Sequence, residues 1–215
     1  MKKAIIFGSS KGIGKSIKQE LSKINLKLVC PSSKEVDTKD VFLINQFIQK
    51  EIKTDILILN TGGPPAKNFF KITEEEWHIY FKQIFLNFTL LLQRLKINKN
   101  GYIFLISSHT VLSPENNLVL SNAYRAALSS VFKTVSKIYA EKNITCINIA
   151  PGPFKTKRLY RLVENMKKFE QTLPMKRAGD PKEIGKFIRL IVQNEIKYAT
   201  GVTIKFDGGL SNYIF

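Results

Sequence analysis

The chain has 215 residues, with 34 Lys and Arg against 17 Asp and Glu, a formal charge of +17 and a hydrophobic fraction of 44%. A length of this order suits one domain spanning residues 1–215, because cores stop growing only beyond about 250 residues, and the 11% aromatic content excludes a disordered polycation. The basic residues are scattered singly and in pairs, with one denser stretch from Lys155 to Lys168. No zinc-finger spacing or aromatic RNA-binding signature accompanies them, so a lineage rich in Lys, Asn, Ile and Phe accounts for the charge and nucleic acid is not the expected partner.

The first element is the buried strand Ala4-Ile5-Ile6-Phe7. Met1-Lys2-Lys3 ahead of it imitates an export signal, but Gly8-Ser9-Ser10-Lys11 closes the apolar run too early for one. The turn Gly8-Ser9-Ser10-Lys11-Gly12-Ile13-Gly14 then opens a helical run over residues 15–23. Its Gly-x3-Gly-x-Gly spacing lets the backbone turn tightly and approach a pyrophosphate, whose charge meets the open amides of the helix start. Gly8, Ser10, Lys11, Gly12, Ile13 and Gly14 are therefore candidate phosphate contacts, an ordinary tight turn being the plain alternative.

A second strand covers residues 26–30 and another Ile56-Leu57-Ile58-Leu59. Thr73 with Glu76 forms a capping box ahead of a helix over 77–95. Its apolar stretch Ile84 to Leu92, broken by Asn87, falls well short of the roughly 20 residues of a membrane span. Strands follow at 102–106, 144–149 and 202–206, and Asp180-Pro181 with Glu183 reads as a second capping box before a helix over 184–192. Short apolar runs alternating with helices specify a parallel sheet covered on both faces. Cys30 and Cys146 lie far apart in apolar runs, as reduced thiols of a cytoplasmic protein do, and no spacing suggests a metal site.

From residue 4 to residue 210 the sequence resembles the short-chain dehydrogenase/reductase family. The glycine turn carries the likeness, with Asn60-Thr61-Gly62-Gly63, Ile106-Ser107-Ser108, Pro151-Gly152 with Thr156, Lys176-Arg177-Ala178-Gly179-Asp180-Pro181 and Asp207-Gly208-Gly209. The resemblance implies an α/β, three-layer Rossmann fold with a doubly wound parallel sheet of about seven strands. Asn60 and Gly62 would lie along the cofactor, Asp37 with Thr38 at the end of a third strand near the adenine, and Pro151, Gly152 and Thr156 over the nicotinamide. Pro31 to Lys34 join the second strand almost directly to Glu35-Val36-Asp37, a short connection with no room for a helix. Enzymes that prefer NAD place a carboxylate about 20 residues after the glycine loop to hold the ribose 2′-hydroxyl. Here that place reads Cys30-Pro31-Ser32-Ser33-Lys34, so Ser32, Ser33 and the Lys34 ammonium are expected to receive a 2′-phosphate, and NADP(H) is preferred over NAD(H). A simple polar turn is the alternative.

The family's Asn, Ser, Tyr, Lys tetrad is altered. Ser108 matches the serine that orients the substrate oxygen, Ser121 stands in the tyrosine's place, Arg125 in the lysine's and Ile84 in the asparagine's. Arg125 can still hold the cofactor ribose, but a serine hydroxyl is a far weaker acid than a phenol of pKa about 10. Tyr124, His109 and Tyr160 are nearby candidates for the missing acid, with packing, a polar loop and a lid helix as their plain roles. The runs Leu118-Val119-Leu120-Ser121-Asn122 and Asn60-Thr61-Gly62-Gly63-Pro64-Pro65 are similar to a divergent, 3-oxoacyl-(acyl-carrier-protein) reductase-like branch lacking the usual Tyr-x3-Lys pair.

The reading is an NADP(H)-dependent oxidoreductase acting on a small-molecule or acyl-carrier-bound carbonyl, with residues 155–175 covering the substrate. A catalytically silent dinucleotide-binding sensor or assembly protein is the alternative, and a basic RNA- or acidic-carrier-binding protein a third. By resemblance such chains form homodimers or homotetramers through the helices around Trp77 and Tyr124 and the C-terminal strand, and the apolar end Asn212-Tyr213-Ile214-Phe215 is expected to dock.

Overall fold

Residues 1–213 are described by a computed structural model. Ile214 and Phe215, half of the apolar end expected to dock, lie outside the described residues, and Tyr213 is exposed. The alternating apolar runs form one parallel six-stranded sheet in the order β2-β1-β3-β4-β5-β6. Its strands are β1 (Lys2–Ile6), β2 (Leu26–Val29), β3 (Lys53–Leu59), β4 (Lys96–Ile106), β5 (Thr145–Pro151) and β6 (Val202–Phe206). The strand order reverses between β1 and β3, which makes a crevice at their carboxyl ends.

Because successive side chains of a strand point to opposite faces, each buried run feeds two cores. Ile5, Phe7, Leu57, Leu59, Ile103, Leu105 and Cys146 pack on one face with α2 (Val41–Glu51), α4 (Asn87–Arg94) and α5 (Val119–Ala140). Ala4, Ile6, Ile56, Ile58, Phe104 and Ile147 pack on the other with α1 (Gly12–Leu21) and α8 (Pro181–Gln193). The expected three-layer, doubly wound arrangement is thus present.

Among the described residues the sheet has six strands where about seven were expected. The missing one is the third, at Glu35-Val36-Asp37. There the Ser32 amide donates to the Glu35 carboxylate at 2.8 Å and the Glu35 amide returns to Ser32 Oγ at 3.3 Å, which closes a turn instead of extending the chain. Val36 alone of this segment is an apolar anchor in the core. The connection is short and free of helix, as expected, and β2 becomes an edge strand of the sheet. Asp40 then caps α2, a helix the sequence reading did not single out, by accepting from Phe42 N and Leu43 N.

The helix expected over 77–95 is divided. The Thr73–Glu76 capping box forms and starts α3 (Glu74–Tyr80), but residues Phe81–Leu86 are a π turn before α4 begins. The wider turn lets Gln83, Ile84, Asn87 and Phe88 all be buried, and Asn87 donates to the Thr38 carbonyl at 2.8 Å. The second capping box is incomplete: Asp180 accepts from Lys182 N with Pro181 in the first turn, while Glu183 turns outward to Arg177 at 2.9 Å. Within residues 155–175 lie two short helices, α6 (Lys157–Leu162) and α7 (Met166–Thr172).

Helices α1 and α8 lie against each other through Gly185, where an added Cβ would sit 2.7 Å from the Ser16 carbonyl oxygen and 3.0 Å from Glu20 Cγ. Glu20 is buried there and gripped by Lys23 at 2.5 Å and Arg189 at 3.1 Å, and the hydrogen bond from Lys23, foremost, holds its carboxyl below the usual range against the opposing effect of burial. Gly185→Val forces the two helices apart and is expected to cost about 2 kcal/mol, a fall in Tm of about 5 °C by thermal unfolding. An unchanged Tm would show that the contact yields without cost.

Candidate functional site

Four carboxyl ends meet at the crevice: the Gly8 turn after β1, Asn60 after β3, Ser107-Ser108 after β4 and Pro151-Gly152 at the end of β5. Gly8 and Gly12 have φ of +61° and +52°, in the left-handed region that glycine tolerates. At Gly14 a Cβ would stand 2.1 Å from the Gly8 carbonyl oxygen, so the turn closes only on glycine. Asn60 fixes it from the neighbouring strand, its Nδ2 donating to Gly8 O at 3.1 Å. Helix α1 starts from an extended Lys11 with no side-chain cap, and its first turn contains no acidic residue. Its open amides and positive end can therefore take an anion.

The expected 2′-phosphate turn is solvent-facing at Ser32, Ser33 and Lys34. It also holds a carboxylate that the reading of residues 30–34 did not include, Glu35, tied to the Ser32 amide. Asp37 Oδ1 accepts from Lys39 N at 3.0 Å, and Thr38 Oγ1 lies 3.2 Å from Thr61 Oγ1, which anchors this segment to the Asn60-Thr61-Gly62 turn. Gln83, which sequence reasoning passed over, completes that anchor. From the π turn its Nε2 donates to Thr61 Oγ1 and to Gly62 O, each at 3.0 Å, while its Oε1 is buried without a partner. Ile84, in the asparagine's expected place, is buried and apolar, so the amide that reaches the crevice comes from the preceding residue. It does so from within the π turn, of which local sequence carries no mark.

Ser121 and Arg125 lie one turn apart on α5 and are brought together at 3.1 Å, Arg125 Nε donating to Ser121 Oγ. The rest of the guanidinium is directed at main-chain carbonyls, Nη1 to Ile106 O at 3.0 Å and Ser107 O at 3.1 Å, and Nη2 to Thr61 O at 3.3 Å. One Nη2 N–H is left over for a ligand. Burial, foremost, and then the charge of Arg158 bring the Arg125 pKa down to about 10, still a cation at neutral pH. Ser108 Oγ accepts from Thr110 N at 3.2 Å and from Thr110 Oγ1 at 3.1 Å.

The candidate acids separate clearly. Tyr124 donates to the Trp77 carbonyl at 3.0 Å and stands edge-on to the Trp77 ring at 5.7 Å, a packing residue between α5 and α3. Tyr160 projects outward from α6. His109 alone lies in the crevice, between Pro151 O and Glu115. Above them Thr156 caps α6 and its methyl would be 3.2 Å from a Cβ at Gly12, while Arg158 donates to Gly63 O and Pro64 O, both at 2.8 Å. Residues Thr156 and Arg158 thus touch both rims of the crevice.

A doubly wound parallel sheet with a glycine turn and an uncapped helix at its switch point defines the dinucleotide-binding α/β class. A family model described as enoyl-(acyl carrier protein) reductase matches residues 11–211, and the chain belongs to the short-chain dehydrogenase/reductase family. It is 29% identical over 239 residues to the 3-oxoacyl-(acyl-carrier-protein) reductase FabG of Buchnera aphidicola subsp. Baizongia pistaciae, with 96% of each chain covered. To the NADPH-dependent reductase BacG of Bacillus subtilis it is 26% identical over 249 residues, again with 96% of each covered. Its fold is similar to that of YwfH, an NADPH-dependent reductase involved in bacilysin biosynthesis, with a TM-score of 0.87 at 23% identity over 99% of both chains. It is similar also to L-sorbose reductase of Gluconobacter frateurii, solved with NADPH and L-sorbose, with a TM-score of 0.88 at 20% identity over 99% of this chain and 97% of that one. Among the described residues no helix is long and apolar enough to cross a membrane.

The buried guanidinium predicts an outcome opposite to simple family logic. Arg125→Lys restores the residue type usual at that place but replaces a planar fork with a point donor that cannot reach Ser121, Ile106, Ser107 and Thr61 together. It is expected to cost about 2–4 kcal/mol in urea unfolding, through unpaired buried oxygens. A variant as stable as the wild type would show that these bonds do not hold the crevice.

Proposed function

We propose that the protein is an NADP(H)-dependent reductase of the short-chain type acting on the carbonyl of a 3-oxoacyl thioester, small or bound to an acyl carrier. The observation that carries the reading is the uncapped start of α1 behind the Gly8–Gly14 turn, a cradle suited to a pyrophosphate beside the carboxyl ends of β4 and β5. The 3-oxoacyl reductase and the NADPH-dependent reductase among the relatives support substrate class and cofactor. When bound, a reduced nicotinamide supplies hydride.

In this reading Gly8, Ser10, Lys11, Gly12, Ile13 and Gly14 surround the pyrophosphate, Ser32, Ser33 and Lys34 the 2′-phosphate, and Asp37 the adenine. Asn60 and Gly62 lie along the cofactor, and Pro151, Gly152 and Thr156 cover the nicotinamide. Ser108 orients the substrate oxygen. Ser121, Arg125 and Ile84 occupy the tetrad's Tyr, Lys and Asn places, with Arg125 offering its remaining Nη2 N–H to the ribose. Residues 155–175 cover the substrate within one domain spanning 1–215, and the chain works in the cytoplasm as a homodimer or homotetramer.

Titration of NADPH fluorescence with the full chain is expected to saturate, and acetoacetyl-coenzyme A to be reduced with loss of NADPH absorbance. Absence of saturable binding overturns the reading. Lys34→Glu is expected to weaken NADPH by about fivefold while leaving NADH nearly unchanged, because only the former carries a 2′-phosphate. Equal losses for both cofactors would remove Lys34 from that role. A second reading, a dinucleotide-binding protein without turnover, is favoured by Ser121 and Arg125 being bonded to each other, and it requires saturable binding with no oxidation of NADPH.

A further inference from the structure

The reductase reading lacks a proton donor. Ser121 is a weak acid bonded to Arg125, Tyr124 is packed against Trp77 and Tyr160 faces outward. We propose that His109, held by Glu115, donates the proton to the substrate oxygen; this rests on the reductase reading and supplies the residue it is missing.

His109 directly follows Ser108, the residue placed at the substrate oxygen, and its ring reaches across to the end of β5. Nδ1 lies 3.1 Å from Pro151 O, which only accepts, so Nδ1 carries a proton. Nε2 lies 2.9 Å from Glu115 Oε1, a carboxylate acceptor, so Nε2 carries one as well. A ring suspended between two acceptors is an imidazolium, and its side chain is only 11% exposed. The chain's other histidine, His78, is an exposed helix residue 3.6 Å from Glu74 and has no such setting.

The charges around the ring agree. Burial, the strongest single influence, pulls the His109 pKa down, yet the hydrogen bonds to Glu115 and Pro151 and the charges of Glu115 and Asp207 together leave it above the ordinary value. Glu115 stands on the loop between β4 and α5, Asp207 follows β6, and Arg158 of α6 acts on Glu115 from the covering segment. The hydrogen bond from His109, foremost, keeps the Glu115 carboxyl below its usual range, so it remains an anion beside the ring. Glu115 is half-exposed, so a substrate oxygen can compete with it for the Nε2 proton, and the charge of Arg158 also favours the carboxylate.

In the step, the carbonyl carbon takes hydride from NADPH and the carbonyl oxygen takes the Nε2 proton. With NADPH bound, the C=O π bond, the Nε2–H bond and the dihydronicotinamide C4–H bond, whose electron pair leaves as hydride, would break while C–H and O–H bonds form; NADPH would be oxidised to NADP⁺ and the ketone reduced to an alcohol. His109, left neutral, regains its proton from water with Glu115 again beside it. Glu115 acts through His109 and is a positioning residue. Reduction therefore needs protonated His109: the rate is full below its pKa and falls as pH rises through it, and loss of Glu115 moves that limb to lower pH.

The test combines imidazole NMR with turnover of acetoacetyl-coenzyme A by the full chain and NADPH. Two histidines make assignment simple, with His78→Gln identifying the other signal. In the wild type His109 is expected to titrate above about 6.5, and in Glu115→Gln about one pH unit lower, with the alkaline limb of kcat moving alongside. His109→Gln is expected to lower kcat about 100-fold or more while the NADPH Kd stays within about twofold. A His109 signal that titrates at or below the ordinary value and ignores Glu115→Gln overturns the proposal, even if His109→Gln does not fold. Turnover that survives His109→Gln with its pH limb intact overturns this acid alone. Bound NADPH with no turnover by the wild type overturns the reductase reading and this acid with it.

Discussion

The guanidinium of Arg125 is buried among oxygen atoms that the parallel sheet itself leaves open. Strands of such a sheet end on carbonyls, and at the crevice those of Thr61, Ile106 and Ser107 converge on one side chain from α5. Burying a charge is costly unless its donors are met, and here three backbone carbonyls and Ser121 Oγ meet four of the five N–H groups. The cation in return fixes the ends of β3 and β4 relative to α5. From Thr61 the same constraint runs outward to Thr38 and to Gln83, and from Ser107 across to β5 through its bonds to Ile149 O at 2.8 Å and 3.2 Å. The crevice keeps its shape because these links share atoms.

Around that fixed frame the other parts differ in how firmly they are held. The glycine turn is set by close approach of backbone to Asn60 and by the positive φ of Gly8 and Gly12. The segment at Ser32 to Glu35 is held only by its own small turn, so that end of the crevice is open and polar. The segment 155–175 is anchored by Leu159 and Leu173, packed in one cluster with Ala178, and reaches the far rim through Arg158, which donates to Gly63 O and Pro64 O.

Much of the fold was legible because burial on both faces leaves a plain trace. Ile56-Leu57-Ile58-Leu59 and the mostly apolar Thr145–Pro151 are strand since a parallel sheet between two helical layers buries both faces, and the Thr73–Glu76 cap is local chemistry. The glycine spacing was legible for the same reason: it is set by backbone sterics within one turn. The missing third strand was not, because Val36 reads equally as a strand or an anchor until Ser32 and Glu35 are seen to bond each other. Nor was the π turn, which depends on Gln83 and Asn87 finding partners in Thr61, Gly62 and Thr38 far away in sequence.

The sequence by itself determined the layer architecture, the dinucleotide-type turn and the identity of the residues at 108, 121 and 125, since periodicity, glycine sterics and spacing along one helix are local properties. Only the tertiary structure decided what those residues touch. It directed Arg125 to strand-end carbonyls, separated His109 from Tyr124 and Tyr160 by giving it Pro151 and Glu115, and brought Gln83 where Ile84 had been expected. Each of these contacts joins elements distant in the chain, and the direction of a polar side chain is set by whichever unpaired partner the assembled sheet presents to it.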